Sequence, residues 1–179
     1  MKRLYLLRHG QTEFNVKKLV QGRCDSPLTD LGRQQAGMAA TWIKSHNVVP
    51  DKVVSSPLGR AMDTARLVAT ELLGPDAAVE PCEGIIERCY GTFEEGPHDA
   101  LPTDVWDPGE DLVPFGGEGN RALQERMVGT LTNLMGAEGI ETLLAVSHGS
   151  ASRQFIKAAA PEGFELPTKP VSYTHLRAH

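Results

Sequence analysis

The stretch RLYLLRHG, residues 3–10, decides how this chain folds. Its apolar run is too short for a helix and predicts a strand that ends at His9-Gly10. A second apolar run, ETLLAVSHG at 141–149, ends in the same way at His148-Gly149. If the two strands lie parallel in one sheet, both histidines lie at the same edge of that sheet.

Helix signals follow each of the first two strands. From about Asp30 to Ser45 a helix is predicted, with Thr29 as its N-cap. The second strand, in DKVVSSP, leads into a helix over 57–73, for which Ser56 is the predicted N-cap and Pro57 the first residue. The residues that define the periodicity of the first helix are Leu31, Gln35, Met38 and Trp42.

The second half of the chain continues the alternation. A third strand is predicted within 78–91, and residues 97–117, rich in proline, glycine and aspartate, predict a long loop. Helices are predicted over 118–136 and 150–160, on either side of the ETLLAVSHG strand. Alternating strands and helices predict an α/β fold with a mainly parallel sheet flanked by helices.

Composition excludes several classes of function. The chain has 179 residues, which fits one domain, and a net charge of −5, which argues against nucleic acid or an anionic membrane surface as partner. No run approaches about 18 apolar residues, so no membrane span is expected. The first apolar run is shorter than the roughly 7–15 residues of a signal-peptide core. Three cysteines without a CxxC pair are expected to be free thiols, which favours a cytoplasmic location.

The strand ends carry residues that bind anions. In open α/β sheets, ligands bind outside the carboxyl ends of the strands, where Arg8, His9, Arg60 and His148 are expected to meet. Guanidinium groups bind phosphate oxygens bidentately, and free amides at a helix start favour negative charge. The chain contains neither H-x-H nor H-E-x-x-H, and arginines repel cations, so neither a metal nor another cofactor is expected.

Six sequence blocks in order resemble the histidine phosphatase superfamily, the phosphoglycerate-mutase-like proteins. The blocks are LRHGQTEFN, QGRCDSPLTDLGRQQA, SSPLGRAMDTA, ERCYGTFEEG, GGEGNRA and VSHGS. The resemblance covers one domain, residues 1–160, and implies a three-layer sandwich around a mainly parallel sheet. Family members normally continue into a further strand, whereas residues 161–179 form an atypical tail that we expect not to be native family sequence. Because VSYTHLRAH resembles a translated sequencing adapter, the native C-terminus is expected to be missing, and His175 and His179 are given no role.

The resemblance also implies a role for each matched residue. His9 is the nucleophile, with its second ring nitrogen expected to bond a backbone carbonyl of the following loop. Glu87 is the proton donor, with Glu83, Glu94 and Glu95 as nearby alternatives. Arg8, Arg60 and His148 complete the catalytic set. The residues expected to bind substrate are Arg8, Asn15, Gln21, Gly22, Arg60, His148 and Gly149, and His98 is a further residue that could face it.

Three functions fit these residues. The leading interpretation is a phosphatase that hydrolyses small phosphorylated metabolites through a phosphohistidine, with specificity set by the 97–117 loop. A cofactor-dependent phosphoglycerate mutase is the alternative, because the motif ERCYG resembles the corresponding mutase motif. A mutase must exclude water, and the mutases of the family use a longer insertion after the acidic residue to cover the site. The short segment 88–117 therefore favours hydrolysis. A non-catalytic phospholigand-binding module would be expected to lack one of the key histidines or arginines, and none is missing. The sequence leaves the oligomeric state and the identity of the substrate open.

Overall fold

The computed structural model describes residues 2–160 and the strand Tyr173–Leu176. Its strands are β1 (Arg3–Arg8), β2 (Lys52–Ser55), β3 (Glu80–Pro81), β4 (Thr142–Ser147) and β5 (Tyr173–Leu176). Its α-helices are α1 (Glu13–Lys17), α2 (Asp30–Ser45), α3 (Gly59–Leu73), α4 (Asn120–Gly136) and α5 (Gly149–Ala159). In the part of the chain that the structure describes, none of the helices has the length and apolar character that crossing a membrane requires.

The strands form one sheet in the order β3-β2-β4-β1-β5. The first four strands in this order are parallel, and β5 pairs antiparallel with β1. Arg8 is in register with Ser147, so His9 and His148 both follow at the same edge. The predicted parallel arrangement of the two His-Gly strands is therefore confirmed.

Helices cover both faces of the sheet. Leu7 and Val146 pack with α2 and α3 on one face, whereas Leu6 and Ala145 pack with α4 and α5 on the other. Because side chains alternate along a strand and both faces are covered, the strands are apolar throughout, as buried parallel strands usually are. The predicted three-layer α/β architecture is confirmed.

Helix α2 forms where predicted, with the Thr29 side chain accepting the N–H of the third helical residue, but it packs through another face. Leu31 and Met38 are 47% and 67% exposed. The buried face consists of smaller residues, including Ala36 and Ala40, which pack against alanines of α3. Small residues let two helices approach closely, so packing overrides the apolar periodicity here.

Helix α3 begins later than predicted. Its first residue is Gly59 and its N-cap is Leu58, so Ser56 does not cap it and Pro57 lies outside it. The Ser56 hydroxyl lies instead 2.7 Å from Nε2 of His148, a residue distant in the sequence. This contact gives the hydroxyl a partner other than the helix terminus.

Two elements lie outside the sequence predictions. Helix α1 is a single turn held by a capping box, and β5 completes the sheet at its edge next to β1. The remaining tail residues, 161–172 and 177–179, lie outside the described residues. The non-native origin of the tail therefore stays a prediction.

Candidate active site

A cleft opens at the edge of the sheet where β1 and β4 end. All the residues predicted to act on or bind substrate line it, except His148. The lining residues are Arg8, His9, Asn15, Leu19, Val20, Gln21, Gly22, Arg60, Glu87, Tyr90, His98, Val105, Trp106 and Gly149.

His9 is held in one ring orientation at the base of this site. Its Nδ1 lies 2.7 Å from the carbonyl oxygen of Gly10, which fixes Nδ1–H as donor and leaves a lone pair on Nε2. The expected bond to a backbone carbonyl is thus confirmed. Burial, then the charges of Arg60 and Arg8, hold the pKa of His9 well below its usual value. His9 is therefore a neutral imidazole with its lone pair on Nε2.

Glycine follows His9 because the backbone passes close to α2. A Cβ on Gly10 would lie 2.2 Å from the carbonyl oxygen of Gly32. Gly149 meets a similar limit, since its Cβ would lie 2.9 Å from Cζ3 of Trp106. The two His-Gly pairs are thus explained by close packing next to each histidine.

Arg60 is buried and fixed by several acceptors. Its Nε donates to Nε2 of His9 over 3.3 Å. Its terminal nitrogens donate to the carbonyl oxygens of Gly22 and Cys24, each at 2.7 Å, and to Asp25 at 3.0 Å. The guanidinium is therefore preorganised beside the lone pair of His9.

Arg8 supplies a second positive charge with unused donor capacity. Its buried Nε has no hydrogen-bond partner in the described part of the chain. Its guanidinium lies over the ring of Trp106, 5.4 Å from the centroid. Burial lowers the pKa of Arg8, although Glu87 opposes the shift. A buried donor without a partner is costly, so an anion in the cleft would relieve it.

His148 lies next to His9 but does not line the cleft. The two ring centroids are 5.1 Å apart, and Nε2 of His148 lies 2.7 Å from the Ser56 hydroxyl. Its Nδ1 is buried and has no partner among the residues described. Burial, then Arg60 and His9, lower the pKa of His148 well below its usual value, so the ring is neutral.

Glu87 sits on the N-terminus of α5. Its Oε1 accepts hydrogen bonds from the backbone N–H groups of Arg88 and Ala151, each at 2.8 Å. Its Oε2 accepts from the N–H of Ser150 at 3.2 Å. These bonds use free amides of the first turn of a helix and fix the carboxyl group against the cleft.

The alternative carboxyl groups lie elsewhere. Glu83 and Glu95 are exposed, and neither lines the cleft. Glu94 accepts the N–H groups of Tyr90 and Arg23 and the thiol of Cys24, whose pKa it helps raise, after burial, to about 12. Of the four glutamates considered, Glu87 alone reaches the cleft.

Two predicted substrate contacts also hold the surrounding loop together. The side-chain oxygen of Asn15 accepts the N–H of Thr12 at 3.0 Å in the capping box of α1. The side-chain oxygen of Gln21 accepts the hydroxyls of Thr12 and Ser26 at 2.9 and 3.2 Å. With each amide oxygen engaged, the NH2 groups are the donors left for a ligand.

The loop over 97–117 supplies cleft residues that sequence analysis missed. Trp106 and Val105 line the cleft, and the hydroxyl of Tyr90 donates to the carbonyl of Val105 at 2.7 Å. The sequence signal that could have identified these cleft residues was a tryptophan, Trp106, within a segment rich in proline and glycine. Asp107 anchors the loop by accepting hydrogen bonds from Asn120 at 2.7 Å, Gln154 at 2.8 Å and Lys157.

The chemistry of this cleft defines a class of protein. A neutral imidazole with a directed lone pair lies beside two arginines at the carboxyl edge of a parallel sheet. Within residues 2–160, no three side chains of histidine, cysteine, aspartate or glutamate cluster so as to hold a metal ion. The fold and the site are those of an enzyme that transfers phosphoryl groups.

Comparison with known proteins places the chain in a family. The sequence profile of the histidine phosphatase superfamily (branch 1) matches residues 4–178. The chain therefore belongs to this superfamily, and it is a phosphoric monoester hydrolase.

Individual relatives carry both phosphatase and mutase names. The chain is 32% identical over 158 residues to a broad-specificity phosphatase of Saccharomyces cerevisiae, covering 87% of this chain and 69% of that protein. It is 31% identical over 162 residues to a 2,3-bisphosphoglycerate-dependent phosphoglycerate mutase of Parvibaculum lavamentivorans, covering 86% and 77%. A solved mutant phosphoserine phosphatase of Entamoeba histolytica, in complex with phosphoserine, is 32% identical with a TM-score of 0.74, covering 89% and 80%.

Proposed function

We propose that this protein hydrolyses small phosphomonoesters in two steps, through a phosphohistidine on His9. The observation that carries the proposal is the state of His9. Its Nδ1–H donates to the Gly10 carbonyl, so the ring is neutral and the lone pair of Nε2 lies beside Arg60. Such a nitrogen can attack phosphorus, and the neighbouring guanidinium groups can stabilise the charge on the equatorial oxygens.

In the first step, Nε2 of His9 forms a bond to phosphorus while the bond from phosphorus to the alcohol oxygen breaks. The unpaired Nε–H of Arg8 and the remaining N–H of Arg60 are free to bind phosphoryl oxygens. The leaving oxygen takes a proton from the acid form of Glu87. We assign this role to Glu87 because its carboxyl group lines the same cleft as His9.

In the second step, water attacks the phosphohistidine. The carboxylate of Glu87 takes a proton from the water, the P–N bond breaks, and inorganic phosphate leaves His9 neutral again. We propose that neither step needs a metal, because the arginines supply the positive charge that a phosphoryl group requires. The free cysteines Cys24, Cys82 and Cys89 support a cytoplasmic setting for the reaction.

A phosphoglycerate mutase is the second candidate, favoured by the names of several relatives. It would form the same phosphohistidine but return the phosphoryl group to a hydroxyl instead of to water. The two functions differ in product: free phosphate for one, an isomerised phosphoglycerate for the other.

Trapping the intermediate tests the proposal. Acid-free mass spectrometry after rapid mixing with an aryl phosphate should find phosphate on the peptide that contains His9, and turnover should survive excess chelator. His9→Ala should lose several orders of magnitude in rate, whereas His46→Ala, at an exposed position outside the cleft, should not. An aryl phosphate should release free phosphate, and 3-phosphoglycerate with a trace of the 2,3-bisphosphate should show little isomerisation. Rapid isomerisation would favour the mutase, and activity restored only by metal would contradict the mechanism.

A further inference from the structure

We infer that the enzyme selects phosphomonoesters whose alcohol is uncharged and at least partly apolar, and discriminates against substrates with a second acidic group. The inference rests on the proposed phosphatase function and names its substrate class. It follows from how charge and apolar surface are distributed within the cleft.

The arginines of the cleft lining both lie close to His9. Among the described residues that line it, the arginines are Arg8 and Arg60, and the charges of both act on His9. Arg60 already forms an ion pair with Asp25 at 3.0 Å, and Glu87 adds an acidic group to the lining. One phosphate dianion therefore uses the positive charge that the site offers.

Apart from the side-chain NH2 groups of Asn15 and Gln21, which are neutral donors, the rest of the side-chain lining is apolar or has its polar atoms engaged. Leu19, Val20, Val105 and Trp106 contribute carbon surface, and the Tyr90 hydroxyl is bound to the Val105 carbonyl. The Nε2 of His98, the remaining basic residue, lies 3.2 Å from the carbonyl oxygen of Leu19. Val20 and Tyr90 belong to a small buried cluster with Leu101 and Leu112, which supports this wall from behind.

These features act differently on two kinds of alcohol. A carboxylate or second phosphate beyond the phosphoryl group would lose water against this wall without meeting a cationic side chain of the described lining, which is unfavourable. An alkyl or aryl group would instead gain from burial of its apolar surface. The cleft therefore discriminates by charge on the leaving alcohol.

Matched substrate pairs test the inference on the wild-type protein. One pair is glycerol 3-phosphate and 3-phosphoglycerate; the other is 2-phenylethyl phosphate and its para-carboxylated analogue. The members of each pair differ in charge by one carboxylate. In the second pair this carboxylate is too far from the ester oxygen to change the pKa of the leaving alcohol. We expect kcat/KM to be lower for the acidic member by about tenfold or more, the size of effect that a single mismatched contact produces. Equal values within both pairs would overturn the inference, whereas no hydrolysis of any of the four would overturn the phosphatase proposal itself.

A variant that supplies the missing cation gives a second test. Leu19→Lys places an ammonium group on the apolar wall, and Leu19→Gln is the control of similar length without charge. Leu19→Lys should lower the ratio of kcat/KM for the neutral member to kcat/KM for the acidic member of each pair, and Leu19→Gln should lower this ratio less. Because the readout is a ratio within each variant, a loss of folded protein cancels. If both variants change the ratio equally, charge does not set the selectivity and the inference is wrong.

Discussion

His9 and His148 follow equivalent strands, yet the protein uses their rings differently. His9 donates from Nδ1 to a backbone carbonyl and keeps its lone pair on Nε2 in the cleft. His148 places Nε2 against the Ser56 hydroxyl and stays outside the cleft lining. The contribution of His148 to phosphate binding, implied by the family resemblance, stays a prediction, and its unpaired Nδ1 is the atom that could make the contact.

At the residue scale, Glu87→Gln should separate the proton donor from the nucleophile. An alkyl phosphate has a poor leaving group and should lose about 10²–10⁴-fold in kcat, the usual contribution of general acid catalysis. The nitrophenolate of a nitrophenyl phosphate leaves without needing a proton, so kcat for this substrate should fall much less. The measurement is kcat for both substrates in wild type and variant.

The structure also defines the controls for this variant. A glutamine amide would turn a donor toward an N–H of the α5 terminus, so thermal unfolding must be followed alongside activity. Glu83→Gln makes the same chemical change at an exposed site outside the cleft and should leave both substrates unaffected. Equal losses for the two substrates in Glu87→Gln would show that Glu87 is not the proton donor.

At the scale of elements, the loop over 97–117 is tied to α4 and α5 through one carboxylate. Asp107 accepts from Asn120, Gln154 and Lys157, and the neighbouring Trp106 covers Arg8 and contacts Gly149. Desolvation opposes ionisation of Asp107, but these hydrogen bonds outweigh it and lower its pKa. The loop is therefore anchored next to Trp106, whose ring packs on the Arg8 guanidinium.

Asp107→Asn should weaken the attachment of the loop, because the new side-chain NH2 group would face the donors that now bind the carboxylate. We expect kcat/KM to fall, by less than the roughly 10²-fold that a displacement of about 1 Å can cost. The emission of Trp106, measured in a Trp42→Phe background, should shift to the red as the ring becomes more exposed. Asp111→Asn, an equal charge change at an exposed site of the same loop, is the control. If Asp111→Asn has the same effects, the anchoring interpretation fails.

At the scale of the whole molecule, the sheet edge buries two histidines that stay neutral. The pKa of each is lowered, first by burial and then by neighbouring charges that include Arg60. Below about pH 6.5 the unfolded chain binds protons that the folded protein does not. The folded protein therefore keeps its full stability with respect to these two histidines above about pH 6.5. It loses stability as the pH falls from there toward the lower pKa values that the rings have in the folded state.

Urea unfolding between pH 8 and 5.5 should show this loss. Each histidine can contribute a slope of up to about 1.4 kcal/mol per pH unit to the free energy of unfolding. His148→Asn should reduce the slope, and His46→Asn, at an exposed position, should leave it unchanged. A flat profile from pH 8 to 5.5 would contradict the buried neutral state of both rings.

The sequence by itself determined the α/β layers and most of the cleft residues, but not Leu19, Val20, Tyr90, Val105 or Trp106. Apolar runs that end at His-Gly, caps such as Thr29 and the ordered family blocks depend on neighbouring residues, so they can be recognised without a structure. The structure brings His9, Arg60 and Glu87 to one cleft as these patterns predict.

Only the tertiary structure decided which surfaces meet. Helix α2 packs through alanines rather than Leu31 and Met38, because the fit to α3 selects the face. Ser56 contacts His148 rather than capping α3. Trp106 lines the cleft next to Asp107, which residues of distant helices hold in place. Each of these features depends on contacts between residues far apart in the chain, whereas periodicity and capping patterns report only on neighbours.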